Sequence, residues 1–127
     1  QFNYLPIIIL QKVVHVPPEL AGKILTALQK CQPETGIDGN ALLMIYDGKY
    51  RDDKQFKDFI YCSYKTTGYL KSDGYLNEEK AIKAFRNEPL IEEGIRRCGP
   101  LRGSNPKESL FMFFKCFIDT TPVQIGI

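Results

Sequence analysis

The 127-residue chain has no tryptophan, and its only histidine is His15. One imidazole is little equipment for acid–base or nucleophilic catalysis near neutral pH, where histidine is the usual proton carrier. No GxGxxG, P-loop, HExxH, CxxC or GxSxG string occurs, so the common nucleotide, zinc, redox and esterase signatures are missing. Ser63, Ser104 and Ser109 are available as hydroxyl nucleophiles, but the one histidine stands in the N-terminal arm, and no hydrolase or other enzyme is expected. SDGYLNEE fails as a calcium loop. With Gly74 at its sixth position, the first, third and twelfth ligands become Tyr69, Lys71 and Lys80, none of them a carboxylate. Long apolar runs are also lacking. The longest, Leu5 to Leu10, includes a proline and falls far short of the roughly 20 residues that cross a bilayer. Charge of one sign is equally scarce: 17 basic and 15 acidic residues are interleaved, leaving a net charge of +2. The longest basic run, Arg96-Arg97, makes no stripe for phosphates. Neither a nucleic-acid partner nor membrane insertion is expected.

What remains is ordinary soluble-domain composition, 43% hydrophobic and 25% charged, with no internal repeat. Four cysteines stand at 31, 62, 98 and 116. Zinc sites usually include one closely spaced ligand pair, and none exists here, so no metal or other cofactor is expected. An even set of well-spread cysteines suits two disulfides in a secreted domain, against the plainer alternative of buried free thiols. Spacing alone leaves all three pairings open. The residues after Gln1 lack the charged and long apolar regions of a signal peptide, so Gln1 is the expected start of a mature secreted chain. No N-x-S/T acceptor site is present.

Two segments are expected. Residues 1–16, QFNYLPIIILQKVVHV, are β-branched and apolar without helical period and read as an extended arm that something must cover. Residues 17–127 read as one helical domain without a central sheet. Pro17-Pro18 opens a first helix with Leu20, Ile24, Ala27, Leu28 and Cys31 on one face, closed by Pro33 and Gly36. ALLMIY, between Asp38-Gly39-Asn40 and Asp47-Gly48, makes a second helix of about two turns. A third, capped by Asp52, turns Phe56, Phe59, Ile60, Ser63 and Tyr64 inward and stops at Gly68. A glycine-rich loop follows. Asn77 opens a fourth helix with Ala81, Ile82 and Phe85 on one face. A fifth, after Pro89, carries Leu90, Ile91, Ile95 and Cys98. Asn105, Pro106 and Glu108 form the start signal of a sixth, with Glu108 placed for a capping box, and LFMFFKCFI makes it apolar nearly all round. An apolar tail, VQIGI, ends the chain.

Aromatic crowding on the third and sixth helices suits either a solid core or the wall of a cavity. The cysteine gaps of 30, 35 and 17 residues sharpen this choice. Together with CQPETGID, YDGKYRDDKQFKDFIYC, CSYKTTGYLKSDGYL and KCF, in that order, they resemble the insect odorant-binding proteins. The likeness is to the C-minus, four-cysteine type of the pheromone/general odorant-binding protein family, and it covers about residues 18–120. The arm is longer and more apolar than that family leads one to expect. The resemblance implies an all-α fold of six short helices around a central apolar cavity, with disulfides Cys31–Cys62 and Cys98–Cys116. It also places Asp58 and Lys107 where the family's missing middle bridge would be; their opposite charges suit either an ion pair across the third and sixth helices, too weak to replace a covalent link, or two unrelated solvated side chains.

The function it implies is that of a secreted carrier in extracellular fluid. Such a carrier encloses a small hydrophobic ligand, drawn in by roughly 25 cal/mol per Å² of apolar surface removed from water. Offsets from the cysteines, carried over from the family, give Ile24, Leu28, Met44, Ile60, Tyr64, Leu70, Leu76, Ile95, Phe113 and Phe117 as candidate wall residues. Helical period adds Ile82, Phe85 and Ile91; for every one of these, plain core packing is the competing fate. Tyr64 is the expected polar handle, because a buried phenol wants a partner, and Met44 and Met112 would let the wall adapt. Tail and arm are candidate covers of the pocket mouth. The arm is also a candidate contact in a homodimer, and a chemosensory receptor is a candidate partner. A secreted four-helix cytokine is the leading alternative, but Pro33, Gly48, Gly68, Pro89 and Gly99 cut its helices too short.

Overall fold

The computed structural model describes residues 12–126. Within them six helices and two short strands follow in the order β1 (Lys12–His15), α1 (Pro18–Thr35), α2 (Gly39–Tyr46), α3 (Lys54–Thr67), α4 (Glu78–Ala84), α5 (Pro89–Cys98), α6 (Pro106–Thr120) and β2 (Val123–Gly126). Local chemistry accounts for most of the boundaries. Prolines occupy the first turn of α1, α5 and α6, where the missing N–H is no loss. The side chains of Asp38, Asn77 and Asn105 accept hydrogen bonds from the first-turn amides of Ala41, Lys80 and Glu108. Gly36 and Gly68 end α1 and α3 in the left-handed conformation, at φ 71° and 86°.

Three local expectations are corrected. Pro33 does not close α1; it lies inside the last turn, where only its own bond to the preceding turn is lost. The turn is held by Thr35 donating to the Cys31 carbonyl at 2.7 Å and by the Gly36 amide on Gln32 at 2.9 Å. Asp53, not Asp52, caps α3: its carboxylate accepts from the Phe56 amide at 2.9 Å, and this bond is the main reason its pKa falls below the ordinary carboxylate value. At α6 only half of the capping box forms, because the Glu108 carboxylate turns away to Lys57, 3.0 Å off.

Disulfides join α1 to α3 through Cys31–Cys62 and α5 to α6 through Cys98–Cys116. Closed loops of this length contribute about 3–4 kcal/mol each in the chain-entropy model. α3 is the pivot of the packing, meeting α1 on one side and α6 on the other, while α5 lies between α4 and α6. One core runs through all of them. It includes Cys31, Ile37, Ala41, Phe56, Phe59, Ile60, Leu76, Ile91, Ile95, Cys98, Leu110, Phe111 and Phe113, all buried. The loop before α4 is pinned by an antiparallel bridge between Leu70 and Leu76.

The two ends of the described chain pair with each other. β1 and β2 form a parallel two-stranded ribbon in which Lys12 faces Val123 and His15 faces Gly126. Beyond the ladder, the Val16 amide donates to Gly126 at 2.9 Å. Val14 and Val16 are buried, and Val123 and Ile125 pack on the core. Residues 1–11 of the expected arm, and Ile127, lie outside the described residues.

Candidate functional site

The aromatic rows of α3 and α6 meet in the interior. Tyr64 stands edge-on to Phe113 at 6.5 Å between ring centres, and Phe113 lies tilted against Phe117 at 5.8 Å. Phe56 contacts Phe111 and Phe114 edge-on at 6.3 and 6.0 Å. Such contacts contribute about 0.5–1.5 kcal/mol each beyond the area they bury. α5 comes close beneath Phe117 because position 94 is glycine: a Cβ there would lie 2.8 Å from the Phe117 ring and 2.5 Å from the Thr121 hydroxyl.

Tyr64 is the chemically distinctive group. Burial pushes its phenol up to about 12. Among the described residues nothing hydrogen-bonds to its hydroxyl, yet the residue is only half-buried by surface and the oxygen is not sealed off by protein atoms. A hydroxyl that no protein group engages and that is not sealed off is open to a hydrogen bond from a polar atom outside the protein. The neighbouring hydroxyls are already engaged. Ser63 donates to the Phe59 carbonyl at 2.8 Å, Thr67 to the Ser63 carbonyl at 2.9 Å, and Ser109 to the Asn105 carbonyl at 2.9 Å.

Of the wall residues read from the sequence, Leu28, Ile60, Tyr64, Leu70, Leu76, Ile82, Phe85, Ile91, Ile95, Phe113 and Phe117 come together in or against the one apolar cluster. Ile24 and Met44 are half-buried but fall outside it. The cluster also takes in Val14, Tyr50, Tyr61, Phe114, Val123 and Ile125. Phe114 was legible from the α6 period. Tyr50 sits in a loop without period, and the valines and Ile125 depend on the pairing of the ends. Tyr50 links its loop to the foot of α6, its hydroxyl donating to the Asp119 carboxylate at 2.7 Å, and that bond chiefly raises its pKa.

Across α3 and α6, Lys107 Nζ lies 2.6 Å from Asp58, and Lys54 reaches the other oxygen at 2.7 Å. The hydrogen bond from Lys107, followed by that from Lys54, holds Asp58 below the ordinary carboxylate range. The ion pair is formed. Beside it a surface recess of about 570 Å³ is lined by Lys30, Glu34, Asp58, Tyr61, Cys62, Lys65, Thr66 and Lys107. A smaller one of about 300 Å³ adjoins Tyr61 and Asn105. Both are polar and open to solvent, and neither borders Tyr64 or Phe117. They do not suit an apolar guest.

Six short helices, two staples and an aromatic interior are matched by a family model, that of the PBP/GOBP family, over residues 14–120. The chain belongs to that family. Its four cysteines in two bridges fit the C-minus type. Among solved structures it is similar to the medfly odorant-binding protein CcapOBP22/CcapOBP69a, with a TM-score of 0.65 and 24% identity, covering 78% of this chain and 88% of that one. Odorant-binding protein 4 of the predator Chrysopa pallens gives a TM-score of 0.66 at 20% identity, covering 82% and 91%. The blowfly Phormia regina protein OBP56a, a fatty acid binding protein from the oral disk, gives 0.62 at 18% identity, covering 84% and 95%. At these identities the likeness establishes the fold. Among curated protein sequences nothing matches the chain. No four-helix cytokine bundle is built: helices α2 and α4 have 8 and 7 residues.

Proposed function

We propose that this chain is a secreted, non-enzymatic carrier. It takes a small hydrophobic ligand into the apolar interior between α3, α5 and α6, with residues 17–127 as the binding domain and 1–16 as its arm. Membership of the PBP/GOBP family supports the class of function, and the blowfly protein's fatty-acid binding points to aliphatic guests. The single observation that carries the site is Tyr64, a half-buried phenol without a hydrogen-bond partner among the described residues, set edge-on to Phe113. Disulfides, and the absence of any helix in the described residues long and apolar enough to cross a membrane, agree with a secreted protein.

The experiment is titration with an apolar fluorescent probe followed by displacement with long-chain aliphatic ligands. Saturable binding at one site per chain is expected. Tyr64→Phe should weaken a ligand bearing one polar oxygen by about tenfold, the equivalent of one net hydrogen bond, while leaving the probe itself bound. Absence of saturable probe binding by the folded chain would overturn the function.

A further inference from the structure

We propose that the apolar segment 1–11 folds back and docks on the outer face of α2, over Leu43 and Tyr46. Among the six helices α2, GNALLMIY, alone has no charged residue. Its inner side is satisfied: Ala41 is buried, and Leu42 and Ile45 pack against the core. Its outer side is not. Gly39, Leu43 and Tyr46 fall at i, i+4 and i+7, one stripe of the helix. Leu43 is 64% exposed and Tyr46 58%, more than any other large apolar side chain among the described residues. A Cβ at Gly39 would meet nothing within 4 Å, so the stripe is open along its length. One exposed leucine needs no explanation; an uncovered apolar stripe on an uncharged helix does.

Residues 1–11, QFNYLPIIILQ, have the matching chemistry, with no charged side chain and the run Ile7-Ile8-Ile9-Leu10. They also start from the right place. They lead into β1 at Lys12, which pairs with Val123 and whose amide is 3.4 Å from the Pro122 carbonyl. Three residues before Pro122, Asp119 accepts a hydrogen bond from the Tyr50 hydroxyl at 2.7 Å. Tyr50 comes four residues after Tyr46, and the chain between them doubles back, with the Lys49 amide on the Met44 carbonyl at 2.8 Å. Extended, the segment spans about 36–40 Å, at roughly 3.3–3.6 Å per residue, which covers that path.

A second copy of the chain is the competing occupant. A stable dimer buries about 800 Å² on each partner. Two side chains beside a glycine offer a fraction of that. A tethered segment needs far less area, because its docking is intramolecular and no second molecule has to be immobilised. The size of the stripe therefore favours the chain's own segment.

The test uses the full chain. A benzophenone amino acid in place of Leu43 is irradiated, and its crosslinks are mapped by mass spectrometry. Links within one chain to residues 1–11 are expected. Links only to other parts of the chain would overturn the proposal, and so would links chiefly between two chains, which would assign the face to a second copy. A second measurement is independent of that replacement. Chymotrypsin should clip after Phe2, Tyr4 or Leu10 at least about fivefold faster in Leu43→Ser/Tyr46→Ser than in wild type, because cleavage follows the undocked fraction. Leu25→Ser, at a residue 53% exposed on α1, should leave the rate unchanged. Equal clipping of wild type and the double variant would overturn the proposal, as would equal acceleration by Leu25→Ser.

Discussion

At position 94 the absence of a side chain lets α5 approach α6. Gly94 is buried, with Phe117 and Thr121 filling the space that a Cβ would need. Gly94→Ala would gain about 1 kcal/mol in helix propensity. It would lose more by driving a methyl into Phe117, so a net destabilisation of about 1–2 kcal/mol is expected, read as a lower denaturant midpoint with unchanged m-value. Asp58 makes the opposite kind of contribution, electrostatic and shallow. Its pKa is lowered by Lys107 first and Lys54 second, so its stabilisation is fully present above the unfolded carboxylate value and is lost as pH falls through the lower folded one. Asp58→Asn should cost less than about 1 kcal/mol at neutral pH, because the pair is partly exposed. Denaturation midpoints should show wild type and variant converging only in strong acid, below about pH 4, and not in mildly acid buffer. None of the geometry at Gly94 was legible in the sequence, where a helical glycine reads only as a weak point. The positions of Asp58 and Lys107 were legible from the family's cysteine frame, but whether the two charges meet was left to the structure, which brings them to 2.6 Å.

Among the elements, helix ends were read well wherever a side chain and its amide lie close in sequence. Asn77 and Asn105 needed only the rule that a short polar residue precedes the first turn. Asp52 and Asp53 satisfy that rule equally, and the choice fell to the backbone. Asp53 adopts the extended conformation of a cap, and Arg51 grips its carboxylate from behind at 2.8 Å. Asp53→Ala should therefore destabilise the protein by about 1 kcal/mol, and Asp52→Ala by no more than about half of that. Thermal or urea unfolding of the two single variants separates them. A proline need not be a full stop: in a final turn Pro33 removes one bond, and the helix, held beside it by the buried Cys31 and its bridge, continues to Thr35. The apolar faces of α3 and α6 were visible by period, but no period says whether an inward tyrosine finds a partner. The solitary hydroxyl of Tyr64 is a fact of three-dimensional arrangement.

For the whole molecule the least legible feature is the ribbon. The apolar arm announced a need for cover and the apolar tail was a candidate cover for the pocket mouth, yet nothing local says that arm and tail pair with each other. Pairing is nonetheless consistent with both, since it satisfies edge amides while Val14, Val16, Val123 and Ile125 add to the core. One side-chain contact anchors it directly, Lys12 to Glu88 at 2.7 Å, while Arg97 to the Thr120 carbonyl at 3.2 Å and Tyr50 to Asp119 at 2.7 Å hold the end of α6 from which β2 follows. Deletion of residues 122–127 should lower the melting temperature by several degrees, on the order of 1–3 kcal/mol of lost apolar burial. It should also speed release of a bound probe in stopped-flow dilution. Unchanged release would mean that the guest leaves by another route.

Strands that run side by side in the same direction, one from each end, have a consequence in time. Among the described residues β2 pairs with β1 across almost the whole length of chain, so this seam has the longest sequence separation of any contact there. The helices and their sulfur staples have no such wait. On refolding, this seam is accordingly the contact expected to close after the bundle is assembled.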